Sequence, residues 1–249
     1  MSLVYGCGRV VGDLHKGRGM TCEDAVGVWC DVQRGKYVGV VAGGHGDPTC
    51  VRSAKGAQLA VDVAIEYLKD FSADNDAQAL ASLAKCMVKE WKHRVLSDLQ
   101  ERPIEQDELG NVSRDSVELW CRSHPAHLYG STVVAVLFTR EYCAFFQQGD
   151  GCCAYICGDG TITYPMPADD KCVGNLTTSL SDDDAEDCIR FCRIALSENQ
   201  VMGLFVATDG VDKSYVAREH LDAFFREVII ETQHMREEEL SASITEMLV

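Results

Sequence analysis

The 249-residue sequence predicts an α+β fold: a four-layer α-β-β-α sandwich, with two antiparallel sheets flanked by helix pairs. Three observations predict it. Two amphipathic helical stretches follow an opening apolar hairpin, a run of short β-type segments fills the middle, and two more helical stretches close the chain. Each helix carries one apolar face that needs cover, and a pair of stacked sheets offers two outer faces to supply it.

The hairpin is read from 25–32 and 37–42, both rich in valine, parted by the turn Gln33-Arg34-Gly35-Lys36. The glycine-rich stretch Gly43-Gly44-His45-Gly46-Asp47-Pro48 cannot continue a strand, so it reads as a loop into a helix over about 52–69. In that helix Ala57, Ala60, Val61, Ala64 and Leu68 recur at three- and four-residue steps. The same period returns in Leu80, Ala84, Met87, Trp91, Val95 and Leu99. From 101 to 129 the pattern decays into polar residues with two prolines and is read as loop. Segments 131–139, 142–148 and 152–157 are β-branched and aromatic and read as a meander. After the acidic stretch 182–187, strands are expected over 189–196 and 203–207, and helices over 216–231 and 237–249. No Pro/Gly/Ser-rich stretch divides the chain, so residues 1–249 read as a single domain.

With 23 Lys+Arg against 39 Asp+Glu the net charge is −16, which repels nucleic acid and anionic lipid. Neither partner is expected. No apolar run reaches the length of a membrane span, and the start lacks the regions of a signal peptide. The 13 cysteines are odd in number, lack any C-x-x-C pair and sit largely in apolar runs. They read as buried thiols in a reducing, cytoplasmic setting rather than as a zinc ribbon.

Short acidic or glycine-rich motifs fall where strands begin or end: Glu23-Asp24-Ala25, Gly43-Gly44-His45-Gly46, Gln148-Gly149-Asp150-Gly151 and Thr208-Asp209-Gly210. Taken alone, each is ordinary turn chemistry. Converging on one rim of a sandwich, their carboxylates would offer the oxygen ligands that hard divalent cations need.

In this order, together with Gly130-Ser131-Thr132, the motifs resemble those of the protein phosphatase 2C family, its bacterial branch in particular, over about residues 8–215. The resemblance implies a metal-dependent protein serine/threonine phosphatase acting on phosphorylated protein substrates. Two ions, Mn2+ or Mg2+, would activate a water for attack on phosphorus. Matched position by position, Glu23 and Asp24 correspond to the family's first acids, Gly44 to a backbone-carbonyl ligand and Asp209 to a carboxylate on the second metal. Gly43 falls where the family carries the aspartate that bridges both ions. A second departure is that the sequence stops inside a helix, before the family's last metal-bearing strand. Both departures imply a weakened metal site.

His15 and Arg18 are candidates to meet the phosphate, and His45 to ligate or donate a proton. Asp47 reads as a turn acid before Pro48, and Asp150 as a structural residue capping the amides of its turn. The acidic stretch 182–187 reads as a solvated flap. Two readings follow: a phosphatase impaired at Gly43, or a binding or regulatory module of the same fold that no longer hydrolyses. The retained acids Glu23, Asp24 and Asp209 favour the first, because clustered carboxylates repel one another and need a reason to stay together.

Overall fold

A computed structural model describes residues 4–11, 22–72, 76–167, 169–172, 176–232 and 235–248. The hairpin is β1 (Ala25–Asp31) with β2 (Lys36–Ala42), and the meander is β3 (Val133–Phe138), β4 (Tyr142–Gln148) and β5 (Cys152–Cys157). The remaining strands are β6 (Ile162–Thr163), β7 (Arg190–Ala195) and β8 (Val201–Ala207). They form two antiparallel sheets, of order β1-β2-β3-β4-β7 and β6-β5-β8.

Side-chain alternation along the strands builds the layers. On β3, Val133, Ala135 and Leu137 point into a core shared with α1 (Ser53–Asp70) and α2 (Ala77–Glu101), while Val134 and Val136 point between the sheets. On β5, Cys153 and Tyr155 join that inter-sheet layer, while Cys152 and Ala154 pack on Leu221 and Phe225 of α6 (Arg218–Thr232). Three successive apolar layers therefore separate helices, sheet, sheet and helices, the predicted four-layer sandwich. Buried Trp91 of α2 donates its indole N–H to the Gly56 carbonyl at 2.9 Å, which fixes α2 against α1.

The stretch expected as loop is more regular than its polarity suggests. It holds 3₁₀ turns at Gln106–Leu109 and Pro125–Tyr129 and a helix, α3 (Arg114–Ser123). Ser113 caps α3 by accepting from the Ser116 amide at 3.2 Å, and Val117 is its one buried residue. Pro103 precedes this structure and Pro125 opens its second 3₁₀ turn, so neither interrupts a helix. Short helices α4 (Ala185–Cys188) and α5 (Asp209–Asp212) follow, and α7 (Glu237–Met247) closes the fold.

All 13 cysteines are free thiols, and burial pushes Cys143 and Cys152 up to about 12. Among the described residues no helix is long and apolar enough to cross a membrane.

Candidate functional site

Strand register decides where the motifs meet. Ala25 pairs with Ala42, so Asp24 and Gly43 lie side by side just beyond the open end of the first hairpin. Val41 pairs with Val134, which sets Thr132 opposite Gly43, and the Thr132 amide donates to the Gly43 carbonyl at 2.9 Å. Gly44 pairs in an isolated bridge with Ser131. In the second sheet Cys152 pairs with Ala207, so the turn 149–151 and the segment 208–209 end at the same rim. Gly149 has φ +99, and a Cβ there would collide with the Thr132 side chain, so glycine is required where this turn crosses β3.

The structure brings Asp24, Gly43, Thr208 and Asp209 together. Thr208 donates its hydroxyl to Asp24 Oδ2 at 2.9 Å. A Cβ built on Gly43 would lie 3.5 Å from Asp24 Oδ1, 3.8 Å from the Thr208 methyl and 3.1 Å from Thr132 Oγ1. Glu23 borders the same site, its Cβ 2.9 Å from where a Cβ on Gly44 would stand. Arg9 donates to the Asp24 carbonyl at 2.8 Å.

Beside this group sits a cation the sequence reading did not single out. Lys213 donates to Asp209 Oδ2 and to Asp150 Oδ2, both at 2.7 Å, and Thr177 donates to Asp150 Oδ1 at 2.8 Å. Burial pulls the Lys213 ammonium down, but the hydrogen bonds to Asp150 and Asp209 outweigh it and raise the group well above the ordinary lysine range. Burial likewise raises Asp150, and the bonds from Lys213 and Thr177 reverse that to hold it below the usual carboxylate value. Asp150 is thus tied to Lys213 and Thr177 as well as to the amide of its own turn. Lys213 and Thr177 are the residues that sequence reasoning missed, whereas Asp150, Thr132 and Thr208 lay inside the motifs quoted for the rim and the partners of Asp150 did not.

His45 is half-buried, its ring against Gly130, and its amide donates to the Gly130 carbonyl at 3.0 Å. Burial lowers its pKa, partly offset by Asp182, Asp150 and Asp209, so it is neutral near pH 7. His15 and Arg18 lie outside the described residues. Asp47 is a turn acid: it accepts from the Thr49 amide at 2.7 Å and the Thr49 hydroxyl at 2.5 Å, and it is held low by those bonds. The acidic stretch is largely exposed, as a solvated segment should be, and its acids pair with surface groups. Asp187 pairs with Lys85, Glu186 with Lys89, Asp184 with Lys171, and Asp183 with His124.

The acids of this rim already have protein partners. Gly43, beside Asp24, has no side chain, one oxygen of Asp24 accepts from Thr208, and one oxygen each of Asp150 and Asp209 accepts from the Lys213 ammonium.

The protein phosphatase 2C family model matches residues 11–249, and the chain belongs to that family, whose members are metal-dependent serine/threonine phosphatases. The fold is also similar to Stp1, a serine/threonine phosphatase of Staphylococcus aureus, at TM-score 0.57 and 13% identity, covering 92% of this chain and 83% of that one. The serine/threonine phosphatase of S. agalactiae matches at TM-score 0.56 and 12% identity, over 99% and 90% of the two chains. The catalytic domain of the serine/threonine phosphatase PstP, in complex with two manganese ions, matches at TM-score 0.55 and 14% identity, over 97% and 87%. No curated protein sequence matches the chain.

Proposed function

We propose that this chain is a protein phosphatase of the 2C type in which metal-dependent hydrolysis of phosphoserine and phosphothreonine is impaired at Gly43. The observation that carries this is the geometry around Gly43. The position faces Asp24 at 3.5 Å from its carboxylate, where an acid would share a cation with it, and only a hydrogen stands there. Glu23, Asp24 and Asp209 remain as the acids of the weakened site, Gly44 supplies backbone only, and a phosphorylated protein is the substrate class. Residues His15 and Arg18 are proposed to meet the phosphate, and His45 to act beside it as a neutral imidazole.

The second reading, a module that recognises phosphoproteins without hydrolysing them, is favoured by one observation: a lysine already compensates Asp150 and Asp209.

The test is a manganese-dependent assay on a phosphopeptide and an aryl phosphate with the chain as it is, with Gly43→Asp, and with Gly43→Asp combined with Lys213→Met. Hydrolysis that appears or rises on restoring the acid supports the impaired phosphatase. Phosphopeptide binding with no turnover in any of the three overturns it and leaves the binding module.

A further inference from the structure

We infer that Lys213 is a tethered cation that takes the place of one divalent ion between Asp150 and Asp209. This goes beyond the gap at Gly43 and concerns a different pair of carboxylates.

The geometry comes from the backbone. Short helix α5 begins at Asp209, and the Lys213 amide donates to the Asp209 carbonyl at 2.7 Å, so the lysine side chain leaves the helix one turn beyond the acid and on the same face. An i,i+4 pair on an open helix face would end there and contribute little. This one does not end there. The same nitrogen reaches Asp150 across the sheet rim, and Asp150 is held from its other oxygen by Thr177. Two carboxylates from separate strand ends therefore share one positive charge at equal distances of 2.7 Å.

A pair of converging carboxylates sharing a cation at their midpoint is the arrangement a hard divalent ion adopts with oxygen ligands. An ion binding these oxygens would have to expel the ammonium, because one oxygen of each acid is already spent and the two cations would repel at close range. The lysine is covalently attached and so present at a fixed local concentration, which no free ion matches without a large excess. The acids consequently stay neighbours in the absence of metal, and the chain loses the capacity for an ion at this position.

The experiment is a Mn2+ titration of the metal-stripped protein, followed by electron paramagnetic resonance for stoichiometry and calorimetry for affinity, on the unaltered chain, Lys213→Met and Lys213→Arg. Methionine keeps most of the stem at a half-exposed site and removes only the charge. Expected is one further Mn2+ bound by Lys213→Met, or an affinity at least about tenfold higher, with no gain in Lys213→Arg. A thermal melt in chelator supplies a second readout. Lys213→Met should melt lower than the unaltered chain in chelator and gain more from Mn2+ than the unaltered chain does. Equal stoichiometry and affinity in Lys213→Met and the unaltered chain overturn the inference, as does a gain shared by Lys213→Arg. Neither readout uses hydrolysis, so failure here leaves the impairment at Gly43 standing, and inactivity of Gly43→Asp leaves Lys213 standing.

Discussion

Replacing Gly43 with aspartate should make the stability of the protein depend on a divalent ion. Room exists for the side chain: the backbone there is not in the left-handed region, and the tightest neighbour, Thr132 Oγ1 at 3.1 Å, must give way by a few tenths of an ångström. The new Cβ would stand 3.5 Å from Asp24 Oδ1, which brings the two carboxylates to about 4 Å. Two unit charges at that separation repel by roughly 4 kcal/mol at an effective dielectric constant of about 20. Asp24 is only half-buried, and solvent screening leaves about 2–3 kcal/mol. For a chain of this size, that lowers the melting midpoint by roughly 4–12 °C in chelator. Manganese at about 100 times its dissociation constant restores about 2.7 kcal/mol by binding the folded state alone, which cancels the loss. Circular-dichroism melts of Gly43→Asp and the unaltered chain, each in chelator and in MnCl2, read both effects. A variant that melts with the unaltered chain in chelator, or that gains no more from Mn2+ than the unaltered chain does, would refute the reasoning that Gly43 faces Asp24 across a cation position.

Two predictions concern the frame that holds the site. Arg52 donates to both Glu108 oxygens at 2.7 and 2.8 Å, to the Tyr129 hydroxyl at 2.8 Å and to the Arg102 carbonyl at 2.6 Å, with a side chain only 10% exposed. Arg52→Met should cost about 3–5 kcal/mol in urea denaturation, because it takes the cation away from the part-buried Glu108 carboxylate and one of the two cations from Asp98. Its bond to Arg52 is the main cause that holds the Glu108 carboxyl below its ordinary 4.5. A depressed folded value means the pair stabilises above the ordinary carboxylate range and is lost as pH falls through the folded value. The unaltered chain should therefore lose more stability than Arg52→Met between about pH 6 and about pH 3, and parallel losses would refute the assignment. Gly56 of α1 lies against the Tyr129 carbonyl so closely that a Cβ would overlap it. Gly56→Ala should cost about 1–3 kcal/mol or more, and an unchanged urea midpoint would show that the 3₁₀ turn before β3 can retreat.

The strands and the long helices were legible because their burial is one-sided and periodic. Val133, Ala135 and Leu137 against Val134 and Val136 alternate on β3, and Ala57, Ala60, Val61 and Ala64 repeat on α1. Helix α3 was not, since its apolar stripe of Val117, Trp120 and Cys121 spans little more than one turn of an otherwise polar segment. Its signal was the capping serine Ser113. The convergence of Asp24, Gly43 and Asp209 followed from motifs placed at strand ends, because antiparallel register carries such ends to a common rim. Lys213 could not be found that way. Along the sequence it is a lysine four residues after an aspartate, an ordinary helix pair, and only the fold shows that Asp150 completes the arrangement. Asp47 reads correctly as a turn acid from the Asp-Pro pair alone, its bonds being local.

The departures at Gly43 and Lys213 act on the same quantity, the negative charge at the rim that has to be compensated. One leaves the position beside Asp24 without an acid, and the other supplies a covalently attached cation to a second pair of acids. Neither disturbs the apolar layers. Those layers lie between helices and sheets, whereas the acids meet beyond the strand ends, where hydroxyls and a lysine satisfy them. The rim can therefore change its charge and its chemistry while the three cores keep the sandwich folded.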